Sequence, residues 1–326
     1  VSDRIKAFLE FWTGHFTLWV ILFGLLAYRF PGPVFSLKGY LDHFFALTMF
    51  GIGAALRPAD FVNIARSPGA VAVGSAAQYT IMPFSAWAIA RILRLPDELA
   101  IGLVLTGAAP GAMASNVVSF LAKADTAYSV SLTTVSTLLC PVLTPLLVLK
   151  LAGAEMDVEY WQMFLKLLLT VIGPLLAGFG LRVLFPRQVE RVQPAFPALS
   201  ALFIVFICSL VIAMNREALA STTLLVLAVC LALNLSGTTL GYGAGRVFRM
   251  PVSRRRTLSI EVGMQNAGLG VVLAIQFFGK GAALPCAAFV FICILTGSVA
   301  ASWWSRRPVP DGVAPPATDT APGEAQ

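Results

Sequence analysis

Residues 107–116 read GAAPGAMASN in the middle of one apolar run, and residues 261–268 read EVGMQNAG in the middle of another. Neither stretch suits an uninterrupted helix. Pro110 removes a helix donor and its ring clashes with the preceding turn, and Gly107 and Gly111 loosen the backbone around it. The second stretch packs an acid, two amides and two glycines into eight residues. Moving 107–116 forward by 155 residues gives 262–271, so the two interruptions occupy corresponding places.

The offset recurs outside the breaks. Residues 91–96 read R-x-x-R-x-P, and so do residues 246–251; Phe30-Pro31 returns as Phe185-Pro186. Around these landmarks lie ten apolar runs that meet the roughly 17–25 residues needed to cross a bilayer: 11–30, 40–56, 70–92, 98–121, 127–149, 161–184, 195–214, 222–245, 257–278 and 284–304. Each repeat then holds five spans. Five is odd, so the second copy enters the membrane upside down, as in alternating-access carriers. The expected architecture is an all-α membrane protein of ten helices in two inverted repeats, with the fourth and ninth discontinuous.

Composition agrees. The chain of 326 residues is 58% hydrophobic and 12% charged, against about 25% charged in a soluble domain. Its net charge of +7 is spread singly or in short clusters between apolar runs, which argues against nucleic acid. With the N-terminus inside, Lys and Arg fall 15 on inner and 8 on outer segments, so both termini are expected in the cytoplasm and the protein in the cell's inner membrane. The basic, then apolar, start lacks a small-x-small cleavage site and reads as a retained helix. Residues 306–326 read as a disordered tail. Five cysteines inside apolar runs read as core residues. An intramembrane enzyme would need a second catalytic group beside the one buried acid, so no enzyme and no organic cofactor are expected.

Paired interruptions in matching spans point to a transporter binding site, and unwound backbone at that depth survives only when buried in protein or lining a cavity. Sodium needs several oxygen ligands; freed carbonyls, amides and hydroxyls supply them, and Glu261 supplies charge. The competing reading pairs Glu261 with Arg254, Arg255 or Arg256 near the surface. Ser129, Thr133, Ser136 and Thr137 share one helical face; they line an ion site or simply permit close packing. Gln78 is a lone amide with the same two readings. Gly237, Gly241 and Gly245 form G-x-x-x-G twice and are assigned to helix packing.

The stretches PGAMASNVVSFLA (110–122), SVSLTTVSTLLCPVLTP (129–145) and EVGMQNAGL (261–269) resemble the bile acid:sodium symporter family, and the span order does so over about residues 10–305. The resemblance implies a panel domain (1–68 and 151–218) and a core domain (69–150 and 219–305) in which the broken spans cross. It implies one sodium site from Ser115, Asn116, Ser129, Thr133 and Glu261. A second would use Gln78, Glu261, Gln265 and the carbonyls of Val262 and Met264. An organic anion, bile-acid-like or pantoate-like, would bind in the cleft near Asn266, with Ala112 and Met113 where many members carry Gly and Thr. The protein is expected to act as a monomer. The rival functions are a proton-coupled carrier or exporter with Glu261 as proton relay, and a non-transporting membrane receptor.

Overall fold

The computed structural model describes residues 11–12, 16–152, 160–193, 195–307 and 309. Apart from residue 309, the tail expected after Arg307 lies outside them, as do the first ten residues and positions 13–15 of the first expected span. Among the described residues all regular structure is helical, apart from one isolated antiparallel bridge.

In chain order the main helices are α1 Phe16–Arg29, α2 Leu41–Ala55, α3 Pro58–Arg66, α4 Pro68–Ile92, α5 Asp97–Ala108, α6 Ala114–Leu121 and α7 Thr126–Ala152, with short helical turns at Gly32–Ser36 and Lys38–Tyr40 between α1 and α2. Then come α8 Tyr160–Leu184, α9 Pro186–Val192, α10 Ala195–Met214, α11 Arg216–Val247, α12 Val252–Gly263, α13 Ala267–Phe278 and α14 Ala283–Ser305. Proline opens α3, α4 and α9, where its missing donor costs nothing and its fixed φ suits a helix. The expected fourth span is split into α5 and α6 and the ninth into α12 and α13, both at the quoted stretches.

Among the described residues four helices, α7, α8, α14 and the Leu224–Val247 part of α11, are long and apolar enough to cross a membrane. A fifth crossing is reached if the α2–α3 pair, bent by 72°, counts as one. The split halves fall short by length. Helix α4 has the length, 25 residues, but carries Ser75, Gln78, Tyr79, Thr80 and Ser85. Exposed Leu25, Leu169, Leu184 and Leu224 have no place on a water-facing surface in such density; lipid is their solvent. The chain is a multi-pass membrane protein.

Some expectations needed correction. Residues 57–69 and 185–194, read as connections, contain the helices α3 and α9. Helix α11 begins at Arg216, ahead of the eighth apolar run, and is 32 residues long; its part apolar enough to cross, Leu224–Val247, matches that run to within two residues at each end. The whole helix is about 48 Å long, longer than the hydrocarbon core. Helix α8 carries a π-turn, Leu168–Ile172, directly before Gly173-Pro174; proline cannot donate into a regular ladder, and the wider turn absorbs the defect. Lys166, counted with the outer segments, sits inside α8 and pairs with Asp42 of α2.

The 155-residue offset reappears in the backbone bonds. Leu95 N donates to Ala90 O at 3.0 Å, and Met250 N to Gly245 O at 2.9 Å. Ala124 N donates to Ser119 O at 2.9 Å, and Gly279 N to Ala274 O at 2.8 Å. Phe30 N to Leu26 O and Phe185 N to Leu181 O repeat likewise, at 2.7 and 2.8 Å. Arg94 and Arg249 both take left-handed φ, 49° and 52°, as the Schellman ends of α4 and α11 require.

Helices pack through glycine where backbones meet. A Cβ on Gly53 would strike Leu175 O, and one on Gly178 would strike Phe50 O, which brings α2 and α8 into direct backbone contact. Gly237 and Gly241 do the same for α11 against α12.

Candidate functional site

The two breaks meet. Gly111 and Gln265 form the isolated bridge, closed by Ala112 N to Met264 O at 3.0 Å and Asn266 N to Pro110 O at 2.8 Å. Pro110 and Gly111 are the 155-residue counterparts of Gln265 and Asn266, so each break crosses its own equivalent. The short two-stranded contact satisfies backbone groups that lipid could not.

Glu261 comes from the last turn of α12 and is 2% exposed. Its Oε1 accepts hydrogen bonds from Ser115 of α6 and Ser129 of α7. Its Oε2 accepts one from Thr133 at 3.0 Å. Asn116 Oδ1 accepts from Ser129 at 2.8 Å and from Thr133 at 3.4 Å. All five residues expected at the first ion site are therefore gathered around one carboxylate. Ser136 joins from the same face of α7: its Oγ accepts from Gly111 N at 3.2 Å, which fixes one break strand to α7. Thr137 instead bonds back to Thr133 O at 2.7 Å, so its role is packing.

The arginine reading of Glu261 is overturned. Arg254 pairs with Asp125 at 3.0 Å and donates to Ser67. Arg255 donates to Met250 O, and Arg256 to the carbonyls of Ala122 and Trp304. Among the described residues, no basic side chain pairs with Glu261. The three arginines sit in the first turns of α12, whereas the acid lies at its far end.

Of the second expected set, Gln78, Gln265 and the Val262 carbonyl come together, whereas the Glu261 carboxylate, among the described residues, bonds only the hydroxyls of the first. Gln78 Nε2 donates to Gln265 Oε1 at 2.6 Å, and Gln265 Nε2 donates to Val262 O at 2.9 Å. Met264 O is occupied by Ala112 N. Ala112, Met113 and Asn266 lie at the crossing and are half-buried. Asn266 turns its Oδ1 back to Leu269 N at 3.3 Å, capping α13, and Met113 Sδ accepts from Asn116. Sequence reading overlooked Asn234, whose Nδ2 donates to Gly263 O at 2.8 Å. Its signal was available: a single amide inside an apolar span, like Gln78.

Broken helices whose freed ends are buried against each other, with polar oxygens converging there, are the arrangement by which secondary transporters build their binding sites. Sequence comparison gives the family. The pattern of the Sodium Bile acid symporter family matches residues 44–222, which takes in the first break and stops short of the second. An uncharacterized sodium-dependent transporter of Bacillus subtilis, YocS, is 40% identical over 94% of this chain and 95% of its own. The probable chloroplastic sodium/metabolite cotransporter BASS1 of Arabidopsis thaliana is 37% identical over 89% of this chain and 73% of its own. The corresponding BASS2 of Oryza sativa is 34% identical over 95% and 74%. The chain belongs to the sodium bile acid symporter family of sodium-dependent transporters.

Proposed function

We propose that the protein is a sodium-coupled symporter that imports a small organic anion by alternating access. The observation that carries this reading is the Glu261 cluster: a buried carboxylate, three hydroxyls and an amide oxygen, with no cationic partner among the described residues. An intramembrane acid costs about 2.5–3.5 kcal/mol or more, and a cation held by those oxygens offsets it. Sodium at the first site uses Ser115, Asn116, Ser129, Thr133 and Glu261. At the second, Gln78, Glu261, Gln265 and the Val262 and Met264 carbonyls hold a further ion. Two amide donors now fill Gln265 Oε1 and Val262 O, so sodium binding there exchanges those donors for the ion.

The chain then divides into ten spans in inverted repeats. The panel (1–68 and 151–218) is the platform against which the core (69–150 and 219–305) moves. The anion, a bile-acid-like or pantoate-like carboxylate, binds near Asn266, Ala112 and Met113; the names of the plant relatives support a metabolite. The protein works as a monomer in the inner membrane with both termini in the cytoplasm.

Two sodium ions with one monovalent anion carry one net positive charge inward. That charge yields about 2.3 kcal/mol at 100 mV. A tenfold sodium gradient adds about 1.4 kcal/mol per ion, and the total of roughly 5 kcal/mol supports accumulation of several thousandfold. In proteoliposomes, imposing an inside-negative potential should therefore raise uptake and generate inward current. Electroneutral uptake would rule out this stoichiometry.

The reading itself is tested by thermal unfolding of the purified protein in sodium chloride against choline chloride at equal pH and ionic strength. A sodium-specific rise is expected; a response to pH alone would favour the proton-coupled carrier. Gln78→Ala should spare the first site, so the Hill coefficient for sodium in uptake should fall from about 2 towards 1. A wild-type Hill coefficient in that variant would remove Gln78 from the ion site.

A further inference from the structure

The half-helices α5 and α12 end on equivalent residues, Ala108 and Gly263, at the 155-residue offset. A helix end leaves its last carbonyls without intrahelical donors, and no water inside a bilayer makes good the loss. Each of these two terminal carbonyls is met by a buried side chain from a long, continuous helix. Thr144 of α7 donates its Oγ1 to Ala108 O at 2.6 Å. Asn234 of α11 donates its Nδ2 to Gly263 O at 2.8 Å. The two donors are not themselves equivalent in the repeat, so the matching is between the ends they hold.

Asn234 is the more telling of the pair. It is 1% exposed, and its Oδ1 has no hydrogen-bond partner among the described residues. Burying an amide with half its capacity unmet is unfavourable, and the donation to Gly263 is what the site receives in return. The backbone approach that makes the bond comes from glycine: a Cβ on Gly237, one turn along α11, would lie 2.9 Å from Val262 O and 3.2 Å from Gly263 Cα. Gly263 follows Glu261 by two residues and Val262 by one. A donor that fixes the end of α12 therefore fixes the carboxylate that both ion sets share and the Val262 carbonyl of the second.

We propose that Thr144 and Asn234 are positioning residues of the sodium sites, a matched pair of clamps that set where each broken helix stops. They touch no ion; they act through the Ala108 and Gly263 carbonyls. This inference rests on the sodium reading above.

The test compares the intact protein with Thr144→Val, which keeps shape and loses the donor, Thr144→Ser, which keeps the donor, and Asn234→Leu. The readout is the sodium concentration for half-maximal thermal stabilisation, with choline replacing sodium. The valine and leucine variants are expected to need about tenfold more sodium, with serine restoring the wild-type value to within about twofold. A purely structural role would lower stability equally in sodium and choline and leave half-saturation unchanged. That result in either variant, while wild type responds to sodium, overturns the proposal. Should Thr144→Val fail to fold, Asn234→Leu decides alone. Absence of any sodium response in wild type would instead defeat the sodium reading, and the clamps with it.

Discussion

Glu261→Gln is expected to abolish sodium-dependent uptake, by more than about a hundredfold, in a protein that still folds. Glutamine keeps the shape of the side chain and one carbonyl oxygen to accept from the Ser115 and Ser129 hydroxyls. It removes the one negative charge of the cluster, so a buried sodium ion would have nothing to neutralise it, and an uncompensated buried charge is among the most costly arrangements available. The effect on folding has the opposite sign. Relief of the burial cost, about 2.5–3.5 kcal/mol on insertion scales, should leave the variant as stable as wild type in choline, or more so. In sodium, wild type gains by mass action, about 2.7 kcal/mol when the ion stands at a hundred times its dissociation constant; the variant gains nothing. Thermal unfolding in the two salts separates these outcomes. A Glu261→Gln protein that sodium still stabilises would remove the carboxylate from the ion site.

The second large effect is on assembly. Gly237→Leu should reduce folded protein in the membrane about tenfold, whereas Gly243→Leu, on the same helix, should not. A Cβ on Gly237 meets Met82 Sδ, Val262 O and Gly263 Cα, while Gly243 has nothing within 4 Å. Overpacking a core costs about 1–3 kcal/mol when side chains can yield. Here two of the three obstacles belong to the α12 backbone at its break, which cannot move without dragging Glu261. Fluorescence size-exclusion of solubilised membranes measures the folded fraction. Equal yields from the two variants would mean that α11 and α12 do not pack as described.

Much of this was legible from residues alone. Pro110 and the glycines around it announce a break because their effect lies in their own covalent geometry. The 155-residue offset announced a repeat, and backbone bonds recur at that spacing. The periodicity of Ser129, Thr133 and Ser136 put them on one face, but not toward any partner; a helical face has the same spacing whether it lines an ion site or a packing seam. Short amphipathic pieces such as PADFVNIAR and PRQVERV read as connections because their charges outweigh a single apolar stripe. A single amide in an apolar span, such as Asn234, marks a candidate but not the group it will bond.

By itself, then, the amino-acid order determined that the chain belongs in a membrane, where its helices are interrupted and which acid is buried among them, because hydropathy, ring strain and charge act locally. Only the tertiary structure decided that the interruptions cross, that Glu261 faces hydroxyls and not arginines, and that Gln78 meets Gln265. Those partners stand 128 to 187 residues apart, and contacts at that separation follow from how closely glycine lets the helices approach.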